Sequence, residues 1–87
     1  MKYKSISKSK VLTANDSIKP DGYGSIVITN TGADAITIND NIALVAGASW
    51  NWTNHPNVVI DEQTSIRFAG VNINKKVLVQ MFYYKEV

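Results

Sequence analysis

The 87-residue chain contains no cysteine, only two prolines and five glycines, and no apolar run approaching the ~18 residues needed to span a membrane. Without cysteine there is neither a disulfide framework nor a thiolate metal site. The length allows one domain, because separate domains typically run to about 100 residues each. A small core without staples leaves a narrow stability margin, and association with identical copies is the usual remedy. Acidic residues are missing from the first ten positions, where Lys2, Lys4, Lys8 and Lys10 stand. The remaining 77 residues carry five basic against seven acidic side chains. The formal charge of +2 therefore belongs to the N-terminal segment, and the body is mildly acidic. That segment is basic but no apolar stretch follows it, so it does not read as a secretory signal, and synthesis in a cytoplasm is expected.

Isoleucine occurs ten times, valine nine and threonine six, against three leucines. These β-branched side chains lose rotamer freedom in a helix and pack well on a pleated sheet. Period-2 alternation supports a β reading throughout, and no ten-residue stretch has a helical period. Residues 1–12 alternate lysine and isoleucine with serine and tyrosine, which predicts a basic N-terminal arm or edge strand. Residues 13–87 then form a single β-sandwich domain. A loop is expected from Asn15 to Gly24, including Lys19-Pro20-Asp21-Gly22. Strands are predicted at Ser25 to Thr29, Ala35 to Asn39, Ile42 to Val45, Ser49 to Thr53, Val58 to Ile60, Ser65 to Ala69 and Val77 to Lys85, with a further short one at Val71 to Ile73. Asn30 to Asp34 reads as a hairpin connection and Asn39-Asp40-Asn41 as a turn. Seven or eight short strands at this spacing predict an all-β fold, a small antiparallel sandwich or jelly-roll-like barrel. The last strand is apolar on both faces, Val77, Val79, Met81 and Tyr83 on one, Leu78, Phe82 and Tyr84 with Gln80 on the other. A central strand with one face on the core and the other on a partner subunit explains that pattern.

Recognised catalytic spacings are absent. His55 is the single histidine and has no nucleophile elbow to serve, and the adjacent carboxylates Asp61 and Glu62 cannot flank a substrate as a glycosidase pair does. Asn39-Asp40-Asn41 lacks the length and terminal glutamate of a calcium loop, and Gly22 and Gly24 precede a strand where a phosphate loop needs a helix. No enzyme, cofactor or metal is expected. Trp50 and Trp52, two apart on a strand, share a face and form either a packing unit or an aromatic platform for a glycan. The lysines Lys2, Lys4, Lys8 and Lys10 lack the arginine and aromatic companions of a nucleic-acid binder, and a membrane site is not expected. They suit attachment to an acidic neighbouring protein.

Ile28-Thr29-Asn30-Thr31-Gly32, Ile36-Thr37-Ile38-Asn39 and Leu44-Val45-Ala46-Gly47-Ala48-Ser49-Trp50 together resemble a pattern of small β-sandwich proteins in tailed-bacteriophage particles, "N-T-G, a strand, a turn, L-x-x-G-x-S/T-W". The resemblance spans residues 26 to about 52; Ala46 departs from it, since that pattern has proline before the glycine. It implies a non-enzymatic virion component of decoration, head-fibre or neck type, made in the host bacterial cytoplasm and present as a symmetric trimer or pentamer in contact with the capsid. On that reading either the Met81/Tyr83 face or the Phe82/Tyr84 face supplies the oligomer interface, Trp50 and Trp52 being further interface candidates, and the lysine arm supplies attachment. The alternative is a carbohydrate-binding β-sandwich that uses the two tryptophans against a surface glycan.

Overall fold

A computed structural model describes residues 2–54, 58–69 and 75–87. Eight strands make up the order β1 (Tyr3–Leu12), β2 (Asp16–Ile18), β3 (Ser25–Asn30), β4 (Ile36–Ile38), β5 (Ile42–Leu44), β6 (Ser49–Thr53), β7 (Thr64–Phe68) and β8 (Val77–Glu86), and no helix occurs among the described residues. They form two four-stranded sheets, β1-β8-β3-β6 and β2-β7-β4-β5. Every pairing is antiparallel. First pairs with last, second with seventh, third with sixth and fourth with fifth. The chain is thus one long nested hairpin, rolled so that β3 also meets β8 and β4 also meets β7. That is jelly-roll topology, and it gives the all-β sandwich expected from the alternation.

The tip of the nested hairpin is Ile38-Asn39-Asp40-Asn41, where the Asn41 N–H donates to the Ile38 carbonyl at 3.3 Å. Asn39 and Asp40 have φ of 53° and 63°, as a type I′ turn requires, and Asn and Asp tolerate this region better than other side-chain-bearing residues. The expected turn is present.

Alternation decides the core. Ile26 and Ile28 of β3, Ile36 and Ile38 of β4, Ile66 of β7 and Val77 and Val79 of β8 are fully buried between the sheets, joined by Tyr23 and Ile60 from loops. Burying each such side chain contributes about 1.5–3 kcal/mol. Register sets matching rows on the inner face of the larger sheet: Trp52, Ile26, Met81 and Lys8 in one, Trp50, Ile28, Val79 and Lys10 in the next. The outer face repeats Thr53, Ser25, Phe82 and Ser7, then Asn51, Val27, Gln80 and Ser9.

Several local expectations change. Asn30 to Asp34 is not a hairpin: β3 and β4 lie in different sheets, and the segment crosses between them. The physical reason is the buried Asn30 side chain. Its amide donates to the carbonyls of Asp34 at 2.7 Å and Leu44 at 3.1 Å, and its Oδ1 accepts from the Gly32 N–H at 3.2 Å. The Asn30 backbone donates to the Ala48 carbonyl and accepts from the Gly47 N–H. One residue therefore ties together the two strand connections that step from sheet to sheet. Asp16–Ile18, placed in a loop by sequence, is a short strand because it pairs with Ser65 and its neighbours on β7. Val58 to Ile60 is not a strand; only Ile60 turns inward, its N–H donating to the Tyr23 carbonyl at 2.9 Å. The strand expected at Val71 to Ile73 and the single histidine, His55, lie outside the described residues.

Candidate functional site

Residues 3–12 are the edge strand of the larger sheet and not a detached arm, since β1 pairs with β8 along all ten positions from Tyr3↔Glu86 to Leu12↔Val77. β3 accompanies β8 only as far as Phe82, opposite Ser25. Beyond that point β1 and β8 continue as a two-stranded ribbon, consistent with principal extents of 47 × 19 × 17 Å.

Strand alternation places Lys4, Ile6, Lys8 and Lys10 on the inward-facing side of β1, opposite Lys85, Tyr83, Met81 and Val79, the first two on the ribbon and the last two where β3 also pairs with β8. All three of these β1 lysines are exposed, and Ile6 retains 45% of its surface in solvent. Lys2 is also exposed, and its carbonyl accepts from the Val87 N–H at 2.9 Å, which extends the ladder past the end of β8. Each lysine nearer the body has its own partner. Lys10 lies 3.8 Å from Asp16 with both side chains about half exposed, an ion pair of small energetic value. Lys8 sits 5.0 Å from the centre of the Tyr83 ring.

Tyr83 closes the inner end of this group. It meets Tyr23 edge to face at 6.2 Å, and its hydroxyl points to the Asp21 carboxylate at 3.4 Å. Desolvation raises the Tyr83 pKa above its usual 10.0, and the charge of Asp21 adds to the effect. Tyr23 is pushed the same way, chiefly by burial, while the neighbouring Thr64 hydroxyl opposes the shift. The Tyr23 and Thr64 hydroxyls are both buried and approach each other without reaching full hydrogen-bond geometry. Between the β1-β8 pair and the Asp16 to Asp21 segment lies a cleft of about 600 Å³, in which Lys8, Lys10 and Lys19 face Asp16, Asp21 and Tyr83. Three cations against two carboxylates leave it weakly basic.

The aromatic residues divide between the two faces. Trp50 and Trp52 are half-buried on the inner face of β6 and pack against the core, as do Met81 and Tyr83. Phe82 and Tyr84 are on the outer face, half-buried, in a column with Leu78 and Gln80, and Val27 lies opposite Gln80. Tyr84 lies across Gly24, where an added Cβ would stand 2.9 Å from its ring, and its hydroxyl is 3.0 Å from the Ser25 hydroxyl. This mainly apolar column is bordered by Ser5, Ser7 and Ser9 on β1 and by Ser49, Asn51 and Thr53 on β6, all exposed. Of the two faces named by sequence as an oligomer interface, the Met81/Tyr83 face is taken up within the chain and the Phe82/Tyr84 face is left outward.

No group of His, Cys, Asp or Glu able to hold a metal ion occurs among the described residues. Asp61 and Glu62 are exposed in the connection before β7. Asp40 pairs with Arg67 at 3.4 Å on the surface. Of the residues that carried the resemblance to phage proteins, Asn30 to Gly32 and Leu44 to Ala48 make up the inter-sheet corner and are tied together there by hydrogen bonds. Sequence reasoning singled out the lysines but missed Asp16, Asp21 and Lys19 as their neighbours, because only folding brings the β2 region beside Lys8 and Lys10. The chain matches no protein-family model, no curated protein and no solved structure.

Proposed function

We propose that this protein is a non-enzymatic structural subunit of a bacteriophage particle, of decoration, head-fibre or neck type. It assembles with copies of itself through the outer face of the β1-β8-β3-β6 sheet and attaches to a neighbouring virion protein through the lysine-bearing strand β1. The observation that carries this reading is the outer column Leu78, Gln80, Phe82 and Tyr84, apolar or aromatic at three of its four positions and with Val27 beside Gln80, on a sheet whose second layer lies on the opposite side. A half-buried, mainly apolar stripe rimmed by hydroxyl and amide side chains has the anatomy of a protein interface, a largely apolar centre inside a polar border. Jelly rolls recur in viral capsid proteins, an analogy of fold that adds support without assigning a role.

Jelly rolls also recur in lectins, and the glycan alternative rests on Trp50 and Trp52. Their packing against the core favours the assembly reading, since a sugar platform needs the ring faces in water. The deciding experiment is sedimentation equilibrium combined with mass spectrometry of purified particles. A stable oligomer that dissociates on Phe82→Glu, together with the chain's presence in the particle, is the expected result. A micromolar monomer removes the self-assembly half, and absence from the particle removes the virion half.

A further inference from the structure

We propose that the free edge of β1 is a docking site for one extended acidic strand from a different polypeptide, of the form acidic-x-apolar-x-acidic, and that it is built to refuse a second copy of itself. The inference rests on the structural-subunit reading only for the source of that strand.

The argument starts from hydrogen-bond parity. The Val87 N–H donates to the Lys2 carbonyl, which makes Lys2 and Val87 a hydrogen-bonded pair of the antiparallel ladder. Such pairs alternate, so the even residues of β1 spend their backbone groups on β8, and Ser5, Ser7, Ser9 and Val11 turn theirs outward. β1 is the terminal strand of its sheet, and among the described residues no backbone hydrogen bond reaches that outward row from Ser5 to Val11. Residues Lys4 to Val11 are all exposed. This is a long, regular edge of the kind that accepts an added strand.

The side chains then select the occupant. On one face Lys4, Ile6 and Lys8 present cation, apolar group and cation at alternate positions. An added strand places its own residues directly opposite, so carboxylates facing Lys4 and Lys8, with an apolar residue between them facing Ile6, complete both pairs and cover the exposed isoleucine. Lys10 is already engaged with Asp16 and adds less. The serines on the other face accept any small or hydroxyl side chain.

A second copy fails on symmetry. Two identical antiparallel strands are related by a twofold axis perpendicular to the sheet, so even residues always oppose even residues. Centring on Ile6 sets Lys4 against Lys8 and Lys2 against Lys10; centring on Ser5 sets Lys2 against Lys8; centring on Ser7 sets Lys4 against Lys10. Each register confronts like charges, which is destabilising at directly opposed positions. Self-assembly through the outer sheet face is unaffected, because that face is perpendicular to the edge.

The test uses the full chain, labelled with ¹⁵N, and a blocked seven-residue peptide with glutamate at its second and sixth positions, valine at its fourth and threonine elsewhere. Amide shifts centred on Ser5, Ser7 and Ser9 are expected, with affinity that falls about tenfold on raising salt from 0.05 to 0.5 M. The same peptide with lysine for glutamate should not bind. Ser7→Pro removes an outward N–H, which an edge strand tolerates, and should abolish binding. If that variant fails to fold, Lys4→Glu/Lys8→Glu leaves the backbone intact and should reverse the preference toward the lysine peptide. Equal binding of both peptides, shifts on the Leu78/Phe82 face instead, or no shift at millimolar peptide would overturn the proposal. No particle is involved, so its failure leaves the assembly reading standing, and failure of the assembly reading leaves the edge result standing.

Discussion

The Asn30 side chain donates to the Leu44 carbonyl at 3.1 Å, across a sequence separation of 14 residues, and so joins the outgoing and returning limbs of the nested hairpin where both change sheets. Asn30 is fully buried, which makes every one of its bonds difficult to replace with water.

Asn30→Ala leaves the Asp34 and Leu44 carbonyls and the Gly32 N–H without this partner. Each unsatisfied buried group costs about 1–3 kcal/mol, and a total loss of about 3–5 kcal/mol is expected. Urea denaturation followed by circular dichroism measures it; a midpoint within error of the parent would remove Asn30 as the pin of the corner.

The neighbouring bend offers a change in the opposite direction. Val45 to Ala48 is a β-turn closed by the Ala48 N–H to the Val45 carbonyl at 3.1 Å, and Gly47 at φ +84° makes it type II. Ala46 occupies the position at which proline is favoured, the same position where the phage pattern has proline. Ala46→Pro should stabilise the fold by about 0.4–1 kcal/mol by restricting the unfolded chain, raising the melting temperature by a few degrees. Gly47→Ala, forced to the left-handed region, should lower it instead.

Gly24 is constrained by contact. A Cβ there would stand 2.9 Å from both the Tyr84 ring and the Val58 carbonyl oxygen. The ring can swing away, but the carbonyl belongs to the backbone. Gly24→Ala is expected to cost about 1–3 kcal/mol and to break the 3.0 Å contact between the Ser25 and Tyr84 hydroxyls. Combining it with Tyr84→Phe should then add little; full additivity in thermal melts would argue against the shared contact.

Alkaline pH tests the tyrosine pair. Tyr83 and Tyr23 both have pKa values raised in the folded state, Tyr83 by desolvation first and the Asp21 carboxylate second. A group with a raised folded pKa holds its phenol neutral in the native state. Its stabilising contribution is fully present below the unfolded value near 10 and is lost as pH rises through the higher folded value. Absorbance titration of phenolate formation should show two late-ionising tyrosines, and Asp21→Asn should move Tyr83 back toward the ordinary range. An unchanged titration curve in Asp21→Asn would break the Tyr83–Asp21 link.

Much of the fold was legible from alternation alone. Ile26 and Ile28, Ile36 and Ile38, Val77 and Val79 sit at period-2 spacing, and all six are buried as that spacing demands. The Asn39-Asp40 turn was equally legible, since the two side chains best able to take positive φ are adjacent. The Asn30 crossing was misread as a hairpin because Asn-Thr-Gly serves both roles locally; the difference lies in the Leu44 carbonyl, which is remote in sequence. Strand β2 escaped notice for a related reason: three polar-leaning residues have no strand signal until β7 supplies their partners. Of the candidate interaction residues, the alternating lysines of β1 and the aromatic pairs of β8 were visible, but not which aromatic pair faced outward.

By itself, the sequence determined that the chain is β, where most strands run, and that cations alternate along the first of them, because these are properties of neighbours two residues apart. Only the tertiary structure decided that this first strand pairs with the last, that Met81 and Tyr83 face the core while Phe82 and Tyr84 face away, and that the lysines border a free edge. Those outcomes depend on register between segments separated by some 75 residues, and strand pairing at that distance is set by how the two sheets close over one shared core.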